Sequence, residues 1–315
     1  MKAPATAVAL DRGRDAVMPR AVQAEAVGAV ATRAVRDFVE LTKPRVVTMV
    51  LVTTVVGFYL GSPHATVGWL LAATLVGTAL AAGGTLALNQ YLERDADAQM
   101  ERTRSRPLPS GRLDPLDALI FGAVLTAAGL LILTFAVNPL SGIVTATTVV
   151  TYLGLYTPMK RRTPFCSVVG AIPGALPPVT GWVAAAGGLG PGACALFAIL
   201  FLWQLPHSLA IAQLYAADYA RAGFRLLPIV DRDGHSTDRQ IVVNCVALLA
   251  TGLAPTLLGV SGVRYFGIAL VLGLGFLGVA VAAAVRPSTA GARRVMLASL
   301  VYLPVLLVAM AWDKL

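Results

Sequence analysis

Charged residues are scarce in this chain, at 13% of 315, where a soluble domain carries about a quarter. That shortage excludes an ordinary water-soluble fold. With 57% hydrophobic residues and a mean hydropathy of +0.74, most of the surface belongs in lipid. Cysteine is nearly absent too. Cys166, Cys194 and Cys245 lie in or beside apolar segments without metal-ligand spacing, so they are expected to be small buried hydrophobes. Acids are outnumbered, 16 against 25 basic residues for a net charge of +9, but the excess lies in loops between apolar runs rather than on a folded face. No nucleic-acid partner is expected from that distribution, which is instead a topology signal. The first forty residues lack a continuous hydrophobic core, being interrupted at Asp11, Arg12, Arg14, Asp15, Arg20 and Glu25, and this argues against a secretory signal. Five acids in the same stretch argue against an organelle transit peptide.

What is present is a succession of apolar runs. Hydropathy predicts nine spans, at 46–62, 68–91, 116–137, 139–158, 166–187, 192–215, 240–260, 264–285 and 293–311, each near the ~20 residues a bilayer helix needs. The fold class expected is therefore all-α, a polytopic membrane bundle of about nine helices. Residues 1–36 are expected to be a flexible cytoplasmic extension and 37–315 a single membrane-embedded domain. Residues 38–45 read as an interfacial approach, with Lys43 and Arg45 at headgroup level. When alternate loops are assigned to opposite sides, Lys and Arg divide 23 to 2, which places the N-terminus and the four charged loops in the cytoplasm. The Asn138-Pro139 turn forces a tight hairpin between the third and fourth spans. Pro173, Pro177 and Pro178 should break or bend the fifth, and irregular backbone in lipid is tolerated only against protein or a cavity, so this helix is expected to line a pocket.

Two polar islands interrupt the apolar pattern. The first runs from Asn89 to Pro107, starting at the end of the second span. If the helix continues, Asn89, Glu93 and Asp97 are four apart, drift about 40° per step and share one face over roughly 12 Å. Three oxygen ligands on one face suit Mg²⁺, whereas Asp95 points elsewhere. Arg94, Arg102, Arg104 and Arg106 share the island, a mixture that suits a metal-bridged diphosphate; a charged loop whose acids and bases pair with one another fits the spacing as well. The second island begins inside the sixth span with Gln204 and His207, three apart and able to share a face. A buried amide and imidazole must find polar partners or line a cavity. It ends at Asp218, a further candidate metal carboxylate, with Arg221 and Arg225 beside it. Lys160, Arg161 and Arg162 follow the fourth span, either as topology anchors or as part of a site. An anionic head with an oily tail, such as a prenyl diphosphate, matches this arrangement.

The residues that carry a family resemblance are Leu41 to Arg45, Asn89 through Asp97 to Thr103, Arg106 to Gly111, Tyr156 to Arg161, Gly170 to Ala175, Gly181-Trp182, Trp203 to His207, and Asp218 to Gly223. In this order they resemble the UbiA superfamily of membrane prenyltransferases, and within it the haem-modifying branch, from about Glu40 onward. Glu93 stands where the superfamily motif has Asp, and Ala222 where the wider superfamily has a second acid. Ser208 replaces the aromatic that usually follows the histidine in the haem branch, while Ala216 and Ala217 replace charged residues. The resemblance implies a UbiA-type bundle around a central cavity. It also implies Mg²⁺ at Asn89, Glu93, Asp97 and Asp218, diphosphate clamps at Arg102, Arg106, Lys160 and Arg161, and farnesyl diphosphate and haem B as substrates. Arg221 and Gln204 belong with the binding residues, and His207 is a candidate ligand of haem iron or of a propionate. Asn89, Glu93, Asp97, Asp218 and Lys160 are the expected catalytic set. The implied setting is a bacterial inner membrane, with a haem A synthase or an oxidase-assembly protein as candidate partner.

Overall fold

The computed structural model describes residues 33–62, 68–231 and 233–315. Among the described residues nine helices are long and apolar enough to cross a membrane. They are α1 Pro44–Gly61, α2 Gly68–Asp97, α3 Pro115–Val137, α4 Pro139–Met159, α5 Cys166–Ala186, α6 Pro191–Leu214, α7 His235–Leu257, α8 Val263–Val285 and α9 Thr289–Trp312. The chain is a multi-pass, all-α membrane bundle. Of the extension expected at 1–36, the part up to 32 lies outside the described residues, while 33–41 are helical.

The helices follow the expected spans closely, except where they outrun the apolar run. α2 continues past 91 to Asp97, because a helix needs hydrogen bonds rather than hydropathy to propagate and its polar end has partners of its own. α7 likewise begins at His235, through a polar first turn containing Asp238. Helix ends set by backbone bonding need not coincide with the apolar limits of a span.

The prolines act as expected. α5 consists of two segments, Cys166–Ala175 and Pro177–Ala186, broken at Leu176. Asn138 makes the tight α3–α4 turn, its side chain accepting from the Ser141 amide at 2.8 Å while its amide nitrogen donates to the Val183 carbonyl at 3.0 Å. α3 finishes in a wide π turn at Ile132–Val137, and α4 carries one at Thr151–Tyr156 just before its last turn; such bulges re-aim side chains and often fall at functional positions.

Small residues permit close crossings. A Cβ on Gly57 would overlap the Pro178 carbonyl and one on Gly181 the Thr54 carbonyl, so α1 and α5 touch backbone to backbone. α2 packs on α3, and α6 to α9 share the largest buried cluster, around Tyr265, Phe276 and Tyr302. Cys166 and Cys245 are buried as expected, but Cys194 is exposed, because the first turn of α6 presents it outward. Helices α1, α2, α4, α5 and α6 enclose a cavity of about 270 Å³, lined near the end of α4 by Tyr156, against which Lys160 lies.

Candidate active site

Because α2 stays helical to Asp97, its polar tail becomes a buried ladder. Asn89, Glu93 and Asp97 are all buried, while the Asp95 side chain is 81% exposed, as its phase on the helix requires. A buried carboxylate is tolerable only with a partner, and each has one. Lys160, just beyond α4, places its Nζ 2.7 and 3.0 Å from the Glu93 oxygens. Arg106 donates to Asp97 Oδ2 at 2.7 Å, and Thr103 donates to the Asp97 backbone carbonyl. Asn89 Nδ2 donates to Thr157 Oγ1 at 3.1 Å, which fixes the amide. The acids and bases of the first island thus pair in part with one another, but through a buried cluster that joins three chain segments rather than within a solvated loop.

Lys160 lies against the Tyr156 ring at 4.5 Å. Burial works against its charge, and Tyr156 and Glu93 more than offset that, so the ammonium is held above the ordinary lysine range. Lys43, expected at headgroup level, also joins this cluster. It adopts a left-handed backbone (φ 50°) immediately before Pro44 and lies within electrostatic reach of Arg106, Lys160, Asp97 and Glu93. Burial first, and then the charges of Arg106 and Lys160, push its pKa down to about 7. It forms no ion pair among the described residues, so three cations here (Lys43, Arg106, Lys160) face two carboxylates (Glu93, Asp97). When Lys43 is protonated, the cluster carries a surplus positive charge suited to an anion.

Other expected residues are placed around this cluster. Arg102 lies over the Tyr215 and Tyr219 rings, at 5.3 and 5.8 Å, which ties the α2–α3 loop to the segment after α6. Asp218 pairs with Arg221, whereas Arg161 is exposed and makes no ion pair among the described residues. No three His, Cys, Asp or Glu among the described residues are grouped closely enough to share an ion. The structure therefore does not bring Asp218 together with Glu93 and Asp97. The donor chemistry of the α2 ladder nevertheless fits Mg²⁺. An amide oxygen and two carboxylates follow one another at single helical turns, and a hard cation that keeps several waters needs few protein ligands. Asn89 Oδ1 accepts no hydrogen bond among the described residues, so its lone pairs stand available to a cation.

Below the cluster lies the apolar cavity, whose upper wall includes Tyr152 and Tyr156 from the π turn of α4. Pro173 and Pro177 line it, as the broken helix predicts, and so does Gln204. Gly174 leaves room for the Gln204 amide, which any Cβ there would strike. His207 does not share that wall: its Nδ1 lies 2.7 Å from Ser299 Oγ on α9. Ser299 spends its proton on the Met296 carbonyl at 2.6 Å, so Nδ1 of His207 is the donor and Nε2 is left with a free lone pair. Trp203 stacks on the imidazole at 4.8 Å and donates to the Ser299 carbonyl at 2.8 Å, which locks the ring further. The signals for Tyr152, Thr157 and Ser299 are contacts between distant segments, and no local spacing announces them.

Comparison with known proteins bears on this arrangement. A model of the UbiA prenyltransferase family matches residues 50–304. Protoheme IX farnesyltransferase of Solibacter usitatus (strain Ellin6076) is 50% identical over 289 residues, covering 89% of this chain and 99% of that protein. The protein of the same name from Koribacter versatilis (strain Ellin345) is 43% identical, covering 89% and 93%. Among solved structures, a digeranylgeranylglyceryl phosphate synthase has a TM-score of 0.76 at 16% identity, covering 89% of this chain and 98% of that one. A UbiA homolog from Archaeoglobus fulgidus bound to GPP and Mg²⁺ has a TM-score of 0.64 at 15% identity, covering 87% and 99%. At such identities the solved structures speak to the fold alone.

Proposed function

The chain belongs to the UbiA prenyltransferase family, and from that premise we propose that it transfers the farnesyl group of farnesyl diphosphate to a vinyl group of haem B, giving haem O. The observation that carries this reading is the stacking of a buried cation–carboxylate cluster directly on an apolar cavity. Tyr156 belongs to both, lining the cavity and bearing Lys160 on its ring. A molecule with a diphosphate head and an isoprenoid tail satisfies the two at once.

In this mechanism the allylic C1–O bond breaks and diphosphate leaves with the electron pair. Charge grows on the leaving oxygens, so the cations that face them, Lys160, Arg106 and Lys43, stabilise the transition state more than the resting substrate. Bound Mg²⁺ would supply further charge neutralisation at the diphosphate, held by Asn89, Glu93 and Asp97. Arg102 ties the α2–α3 loop to the segment after α6, Arg221 adds positive charge beside Asp218, and Arg161 adds positive potential at the rim. The vinyl π electrons attack C1. Water then captures the cation left on the porphyrin side and loses a proton, leaving a hydroxyl beside the new C–C bond. The apolar walls exclude water from the allylic carbon until the vinyl group has reacted. Gln204 contacts substrate inside the cavity, and His207, its Nε2 unengaged, is the residue that would ligate the haem iron. The charged face is cytoplasmic, by the distribution of Lys and Arg.

The test is mass detection of porphyrin products in bacterial membranes containing the chain, supplied with haem B, farnesyl diphosphate and Mg²⁺, beside an Asp97→Asn control. Haem O from the first and not the second is expected. Diphosphate release with unmodified porphyrin would assign a different acceptor.

A further inference from the structure

We propose that three threonines at the bottom of the cavity, Thr78, Thr145 and Thr180, set the length of the prenyl chain that the enzyme accepts. This rests on the farnesyl-transfer reading above. Thr78 is the deepest cavity residue of α2, Thr145 of α4 and Thr180 of α5, so three helices each end the bore with the same residue type. Thr145 and Thr180 join hydroxyl to hydroxyl at 3.2 Å across the bore. Val183, about one turn further down α5, is buried in a cluster with Val144, Val179 and Ala193, so packed side chains rather than open space adjoin the floor.

The depth suits one chain length. Glu93 and Thr78 are fifteen residues apart on α2, and Lys160 and Thr145 are fifteen apart along α4 and its end, which puts the floor ~22.5 Å below the ion pair. An extended chain covers ~3.4 Å per three bonds. On that scale a diphosphate head takes ~5 Å and each isoprene unit ~4.5 Å, and van der Waals contact with the floor takes ~4 Å more. About 13.5 Å remains, which a three-unit chain at ~13.5 Å just fills and a four-unit chain at ~18 Å overruns by about one isoprene unit.

The end of the bore is also polar. Thr74, Thr85 and Thr126 each donate to the carbonyl four residues back, whereas Thr78 Oγ1 is buried with no partner among the described residues. Only one of the Thr145 and Thr180 hydroxyls can donate to the other. A fourth isoprene unit could reach beyond this floor only by parting the Thr145–Thr180 hydroxyl contact, leaving both groups without a polar neighbour. Length is therefore limited by shape and by polarity together.

The experiment compares wild type with a Thr145→Ala/Thr180→Ala variant, and with an isosteric Thr145→Val/Thr180→Val variant that removes the hydroxyls alone. Each is purified as a monodisperse species in detergent, with the single Thr180→Ala variant as a milder alternative. The ratio of kcat/KM for geranylgeranyl over farnesyl diphosphate is measured with haem B as acceptor. The same preference is read without an acceptor, from displacement of unreactive farnesyl thiodiphosphate by geranylgeranyl diphosphate. The alanine variants should raise the ratio about tenfold or more, and the valine variant by a smaller factor. A folded alanine variant with an unchanged ratio in both assays overturns the assignment of the floor. A wild-type protein that farnesylates no porphyrin, yet whose displacement preference shifts in the alanine variants, overturns the acceptor assignment and supports the floor.

Discussion

Replacing Lys160 by methionine keeps the length of the side chain and removes the ammonium that answers Glu93. The two side chains are 12% and 11% exposed, so the stranded carboxylate would have neither a partner nor bulk water. Breaking a buried pair from one side costs about 3–5 kcal/mol. The residual exposure of this pair favours the lower end, about 3 kcal/mol. The Lys160→Met/Glu93→Gln double variant strands no charge and should recover most of that loss, giving a coupling of about 2 kcal/mol in a double-mutant cycle. Binding should behave differently. Each charge-assisted contact is worth about 1.5–3 kcal/mol, so Lys160→Met should weaken diphosphate binding at least tenfold, and the double variant should not regain it. Thermal unfolding in detergent reads the first quantity, and calorimetric titration with farnesyl thiodiphosphate and Mg²⁺ the second. Equal stability of the single and double variants would refute the buried pair, and a double variant with wild-type turnover would make the pair purely structural.

Lys43 leads to a pH prediction. Its pKa in the free protein is pushed down to about 7, and an anionic head group beside it favours the charged form and raises that value. Binding then takes up a proton, so affinity is fully present below pH 7 and falls as pH rises, by up to about tenfold per unit above that point. Diphosphate titrations from pH 6.5 to about 9 should show this slope, flattened in Lys43→Met; a pH-independent affinity in wild type would exclude the assignment. Ser299 leads to a spectroscopic prediction. Ser299→Ala removes the acceptor for His207 Nδ1–H, freeing the ring to change tautomer, so haem bound to that variant should show altered axial ligation in its absorption spectrum, and Ser299→Thr should restore it. An unchanged spectrum in Ser299→Ala would separate His207 from the iron.

The features legible in the sequence were those that stand out against an apolar background. A charge within a bilayer span is costly, so Asn89, Glu93 and Asp97 at four-residue spacing announced a shared helical face, and α2 presents it with Asp95 turned out. Prolines inside an oily run announced a broken helix against a cavity, and α5 is broken at Leu176 with Pro173 and Pro177 in the wall. Which charge answers which was not legible, since Glu93 and Lys160 are 67 residues apart and only the packing of α2 beside α4 joins them. Nor was the place of Lys43 in the cluster, which depends on a left-handed backbone that a lysine before proline does not advertise. Gln204 and His207 illustrate the limit of periodicity. Three residues leave about 60° between side chains, close enough to share a face in the abstract. Yet α6 is wedged between α5 and α9, and that small angle sends one residue to the cavity and the other to Ser299. The threonine floor was hidden most thoroughly, because a threonine in an apolar helix usually satisfies itself on its own backbone, and a residue that does not looks the same in sequence. A site assembled from several helices is thus encoded as separate local signals. The charged ones are visible because lipid makes an unexplained charge improbable, and the neutral residues that give the cavity its shape and depth are not.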